Sequence, residues 1–140
     1  MSVLGIVLAT VTGLVVNLVW FSPKGFFPAW WRALGHTDAI PPGPEGSASM
    51  VPTFAMTTAA LVTQSIVLAF VLDLTARASY GTVGVGLGAL VGLLAGVGIA
   101  ASSSLGHRLF SGQGVRVWAI EVGGDIASLT AMGAVLGLLG

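Results

Sequence analysis

The chain has 140 residues, 55% of them hydrophobic and 7% charged, with a formal net charge of zero and no cysteine. With a mean hydropathy of +0.99, this composition excludes an ordinary soluble domain, and the zero net charge gives no electrostatic argument for nucleic-acid binding. The missing cysteines remove disulfides, thiolate metal sites and thiol redox chemistry together.

Long apolar runs carry the chain. Residues 1–23, 46–72 and 78–106 have no charged side chain, and Val117 to Gly140 carries only Glu121 and Asp125. Each run exceeds the roughly 20 residues that a helix needs to cross a hydrocarbon core of about 30 Å. In lipid, backbone N–H and C=O groups must pair within the structure, so a run is a helix or a strand of a closed barrel. Barrel strands would be about ten residues long and alternating, which these runs are not. The expected fold is an all-α, integral membrane four-helix bundle over residues 1–140, with helices near 2–21, 52–75, 81–105 and 115–139. The first run lacks a basic start and a small-residue cleavage site, so it is expected as a retained helix rather than a signal peptide.

Helix 1 closes on Trp20-Phe21-Ser22-Pro23, where Pro23 disfavours helical geometry at Ser22. Residues 26–35 then bring Phe26, Phe27, Trp30 and Trp31 around Arg32, with Pro28 placed to start a short helix and Gly35 to cap it. That segment predicts a helix lying in the membrane interface, and Trp20 and these four aromatics are its expected anchors. From His36 to Ser49 the chain is polar and rich in Pro and Gly, the pattern of a loop.

Helix 2 carries Gln64 near its middle and ends on Asp73 and Arg77, an i,i+4 pair. A very short connection follows, which predicts a tight antiparallel hairpin of helices 2 and 3. Helix 3 places Gly84, Gly88, Gly92, Gly96, Ala100 and Ser104 four residues apart, and helix 1 does the same with Gly5, Ala9, Gly13 and Asn17. Such stripes let backbones approach closely, and they predict packing against another helix of this chain or of another subunit. Phe21-Ser22-Pro23-Lys24-Gly25 also echoes Phe110-Ser111-Gly112-Gln113-Gly114, a hint of two related hairpins.

Lys24, Arg32, Arg108 and Arg116 fall in or beside the connections after helices 1 and 3, whereas the opposite side holds Arg77. The positive-inside bias predicts a multi-pass protein of the bacterial cytoplasmic membrane with both termini outside.

Glu121 and Asp125 are the leading candidates for chemistry. Spaced i,i+4, they share one face of helix 4 inside the membrane. An acid at a helix centre costs about 2.5–3.5 kcal/mol on insertion scales, so both are expected to face protein or water. Two carboxyls on one dry face cannot both ionise cheaply, which suits a proton or cation site. An assembly pair satisfied by Arg108, Arg116, His107 or Asn17 is the other reading. Asn17 and Gln64 suit interhelical hydrogen bonding, with a place on an ion pathway as the sharper alternative. His36 and His107 sit at helix ends, where no metal or haem site is expected. Ser102, Ser103 and Ser104 are expected to bond their own helix carbonyls rather than act as nucleophiles.

Asn17-Leu18-Val19-Trp20-Phe21-Ser22-Pro23, followed by Phe27 and Trp30, resembles the opening of a family of small bacterial four-span proteins. The glycine-rich third helix, Leu109-Phe110 with its polar turn, and Met132-Gly133-Ala134-Val135-Leu136-Gly137 fit as well. The family is catalogued as a domain of unknown function, number seventeen-sixty-one. The resemblance implies four helices and an inner-membrane location, and it supplies no activity.

Two functions compete from these residues. One is a self-associating transporter or channel, proton- or cation-coupled through Glu121 and Asp125. Four such helices do not enclose an aqueous path, so it would need at least a dimer. The other is a non-catalytic accessory or scaffold subunit of a larger membrane complex. No constellation supports an enzyme and no cofactor is expected; the partners are the bilayer and a second copy or another membrane protein.

Overall fold

The computed structural model describes residues 2–37, 50–79 and 81–139. It is all-helical: α1 (Val3–Trp20), the short α2 (Phe27–Ala33), α3 (Met50–Ser79), α4 (Val85–Phe110) and α5 (Gly114–Leu139). The four long helices are each apolar and long enough to cross a membrane. Most of the predicted loop after α2, residues 38–49, lies outside the described residues.

Local chemistry sets the helix ends. Ser2 caps α1 by accepting the Gly5 N–H at 3.0 Å. Pro28 falls in the first turn of α2, where its missing N–H costs nothing, and Gly35 ends the helix at φ +90°. The turn between α4 and α5 uses Gly112 and Gly114 at φ +76° and +82°. Gly25, the counterpart of Gly114 in the suggested repeat, has no such backbone. The two turns are therefore built differently, and the resemblance between them stops at sequence.

α5 is the central helix, packed against α4, α1 and α3. Its seam with α4 is made of backbone. A Cβ at Gly88 would strike the Gly133 carbonyl, one at Gly92 the Leu129 carbonyl, and one at Gly96 would lie 2.9 Å from the Ile126 Cα. Gly137 meets the Gly84 carbonyl in the same way, at 2.6 Å. The helix 3 stripe thus packs within the chain over Gly84 to Gly96. Helix 1 meets α5 through Gly5, the fully buried Ala9, and Gly13, whose added Cβ would lie 2.7 Å from the Met132 sulfur.

The predicted hairpin is not tight. α3 packs on α1 and α5 through Leu61, Ser65, Leu68, Ala69 and Leu72, and it scarcely touches α4. The reason is competition for α5: its glycines admit α4 to backbone contact, while α3 brings larger side chains and stands further off. α3 is also long, 30 residues or about 45 Å. From Val51 to Ala60 its side chains are exposed, apart from a half-buried Thr58, and burial begins at Leu61. Its first turns stand away from the bundle.

Candidate functional site

The site forms where α2, the end of α4 and the first half of α5 converge. Taking 1.5 Å per residue from Gly114, Glu121 lies about 10 Å and Asp125 about 16 Å along α5, the latter close to its midpoint. Arg108 reaches across from α4 and donates from Nε to Glu121 Oε2 at 2.7 Å, while its Nη1 donates to Gln113 Oε1 at 2.6 Å. Trp30 of α2 donates from Nε1 to Glu121 Oε1 at 3.0 Å. Both carboxylate oxygens of Glu121 are therefore occupied, one of them in an ion pair. Glu121 ties α2, α4 and α5 together.

Asp125 is placed differently. It is exposed on the surface of the single chain, and it makes no hydrogen bond with the described residues. Of the two acids expected to face protein or water, Glu121 faces protein, whereas Asp125 is exposed on the single chain. Four residues advance a helix by 400°, so Asp125 is turned about 40° from Glu121 and sits about 6 Å deeper. The hydrogen bonds that Arg108 and Trp30 make to this acid pair go to Glu121 and not to Asp125.

The two amides also part ways. Asn17 Nδ2 donates to the Gly13 carbonyl at 3.0 Å and to Ser128 Oγ at 3.4 Å, and Ser128 in turn donates to the Met132 sulfur at 3.5 Å. Asn17 thereby links α1 to α5. Gln64 makes no hydrogen bond with the described residues; it lines a groove of about 210 Å³ between α3 and α4.

The aromatic anchors are more embedded than their sequence suggests. Trp20 lies against Gly123 and Gly124, where an added Cβ would come within 2.6 Å and 3.0 Å of its ring, and its Nε1 donates to the Ile120 carbonyl at 2.9 Å. Phe26 stacks on Trp20 at 4.3 Å, Phe27 contacts Trp30 and Trp31, and Trp31 stacks on His36 at 3.7 Å. The indole N–H groups of Trp20 and Trp30 are spent on protein acceptors instead of headgroups. The consequence is an α2 held against the start of α5.

The chain matches the family described as Protein of unknown function (DUF1761) over residues 4–137. It belongs to that family. No curated protein and no solved structure matches it.

Three features of this DUF1761 member escaped sequence reasoning. One is the buried pair Thr10–Ser65, whose hydroxyl oxygens are 2.9 Å apart between α1 and α3. Thr10 spends its proton on the Ile6 carbonyl at 2.8 Å, so Ser65 is the donor of the pair. A Thr beside the small-residue stripe was the available signal. The second is the Gly123-Gly124 step, which the adjacent acids overshadow. The third is a π-helical turn over Gly96–Ala101 inside α4. Within and just after it, Ser102 Oγ donates to the Gly98 carbonyl (2.6 Å), Ser104 Oγ to Ala100 (2.8 Å) and Trp118 Nε1 to Ala101 (3.1 Å).

Proposed function

We propose that this protein is a self-associating carrier or channel of the bacterial cytoplasmic membrane, with Asp125 as the carboxyl that couples proton or cation movement. One observation carries the reading: Asp125 is exposed near the middle of a membrane-length helix and has no hydrogen-bond partner among the described residues. A carboxyl at that depth costs about 2.5–3.5 kcal/mol if it meets only lipid. A second copy, a passing cation or water would relieve that cost. The α4–α5 seam is closed by backbone contact, so the path runs outside the single bundle, between copies. The glycine stripe is occupied within the chain and leaves the copies to meet through another surface. The bias of Lys24, Arg32, Arg108 and Arg116 toward the turns after α1 and α4 supports a cytoplasmic side for those turns.

The test is flux in proteoliposomes under an imposed pH gradient. Wild-type protein should move protons or a monovalent cation, and Asp125→Asn should abolish that movement while remaining helical and monodisperse. Flux unchanged in Asp125→Asn would refute the reading.

A second reading, a non-catalytic accessory subunit of a larger membrane complex, draws on Glu121, whose two oxygens are both committed to holding helices together. It predicts stoichiometric foreign subunits on purification in mild detergent, where the transport reading predicts a lone homo-oligomer.

A further inference from the structure

We infer that Asp125 and the groove between α3 and α4 together form a binding site for a hydrophobic organic monocation, its charged head at Asp125 and its apolar body in the groove. This rests on the proposed role of Asp125 and adds the class of ligand. The groove holds about 210 Å³ and is lined by Thr63, Gln64, Val67, Ala95, Ile99 and Leu129, among others. Leu129 stands one helical turn from Asp125 on α5, so the Asp125 backbone is about 6 Å along the helix axis from a residue that lines the groove. Because α3 and α4 scarcely touch, the groove opens sideways, the direction from which a membrane-dissolved molecule arrives.

Charge and chemistry select the occupant. Arg108, the nearby cation, is hydrogen-bonded to Glu121 and Gln113 and makes no hydrogen bond to Asp125. Asp125 is thus left without a hydrogen-bonded counter-ion among the described residues, a place that a cationic ligand would take. A small metal ion stripped of water wants six or more oxygen ligands. One carboxylate near a mostly apolar groove, with a single free amide at Gln64, does not supply them. A quaternary or bulky ammonium needs one counter-charge and apolar cover, and this place offers both. A neutral acyl chain would fill the groove and leave Asp125 unbalanced.

The test measures binding of benzyltrimethylammonium and of tetramethylammonium by equilibrium dialysis, with the protein in zwitterionic phosphatidylcholine nanodiscs. The expected result is saturable binding, with benzyltrimethylammonium tighter by about tenfold or more because its ring buries apolar surface in the groove. Asp125→Asn should weaken both ligands by at least about tenfold, as loss of a poorly hydrated counter-charge requires. Ala95→Leu, which narrows the groove, should weaken benzyltrimethylammonium alone. Absence of saturable binding to the wild type, or equal affinity for the two cations, overturns the inference without reference to any variant. If Asp125→Asn abolishes proton or cation flux while benzyltrimethylammonium neither binds nor inhibits, coupling at Asp125 stands and the ligand class is wrong. If binding follows the pattern above and flux does not depend on Asp125, the site stands and the coupling reading falls.

Discussion

Glu121 and Asp125 are one helical turn apart and chemically alike, yet their surroundings give them different work. Glu121 holds Arg108 and Trp30, so Glu121→Gln removes the charge that Arg108 was placed to meet. That variant should lose about 1–3 kcal/mol of stability, the cost of stranding a partly buried charged donor. Trp30→Phe removes one bond to the same carboxylate and should cost about 1.5–3 kcal/mol, the range for hydrogen bonds to charged groups. Asp125 makes no hydrogen bond with the described residues, and Asp125→Asn should stay within about 0.5 kcal/mol of wild type. Thermal melts in one detergent rank all three. A melt of Asp125→Asn as low as that of Glu121→Gln would show that Asp125 is structural.

Among the elements, the α4–α5 seam is the most sharply specified contact, because its register is written in backbone atoms. Gly92→Leu drives a side chain into the Leu129 carbonyl. It should cost about 3 kcal/mol or more, since neither backbone can retreat without opening the seam. Gly98 lies on the same helix with nothing within 4 Å of an added Cβ. Gly98→Ala should be neutral or stabilising by up to about 1 kcal/mol, through helix propensity alone. If the two variants melt alike, the seam does not hold the helices together. Ala scanning along α3 should show the complementary asymmetry. Leu68→Ala, at a buried position, should cost about 2–5 kcal/mol. Val51→Ala, in the exposed first turns, should cost almost nothing.

For the molecule as a whole, orientation and assembly are quantities that experiment reaches directly. Ser111 is in the turn between α4 and α5, and Ala78 is at the far end of α3; both are exposed. With cytoplasmic turns after α1 and α4, an impermeant thiol reagent should label Ala78→Cys in sealed cells and label Ser111→Cys only after permeabilisation. The reverse pattern would turn the protein over and leave the fold untouched. Native mass in mild detergent should exceed that of one chain, and Gly98→Ala, away from the seam, should leave that mass unchanged.

Run lengths, proline and glycine positions, and the lipid rule on backbone pairing were enough to read four spans, the short α2 and its Gly35 cap from the sequence. These are properties of single segments, fixed by local geometry and by the solvent each segment meets. The small-residue stripes were legible too, because spacing alone says that a helix can be approached closely. Which helix does the approaching was not legible. The answer came from glycines on both sides, Gly88 and Gly92 meeting Gly133 and Leu129, and that pairing in turn kept α3 from forming a tight hairpin with α4. The acids divide along the same line. The sequence by itself determined that Glu121 and Asp125 lie one turn apart on one helix long and apolar enough to cross a membrane. Only the tertiary structure decided that Arg108 and Trp30 converge on the first and leave the second exposed, because 40° of rotation and 6 Å of rise matter only once the neighbouring helices are in place.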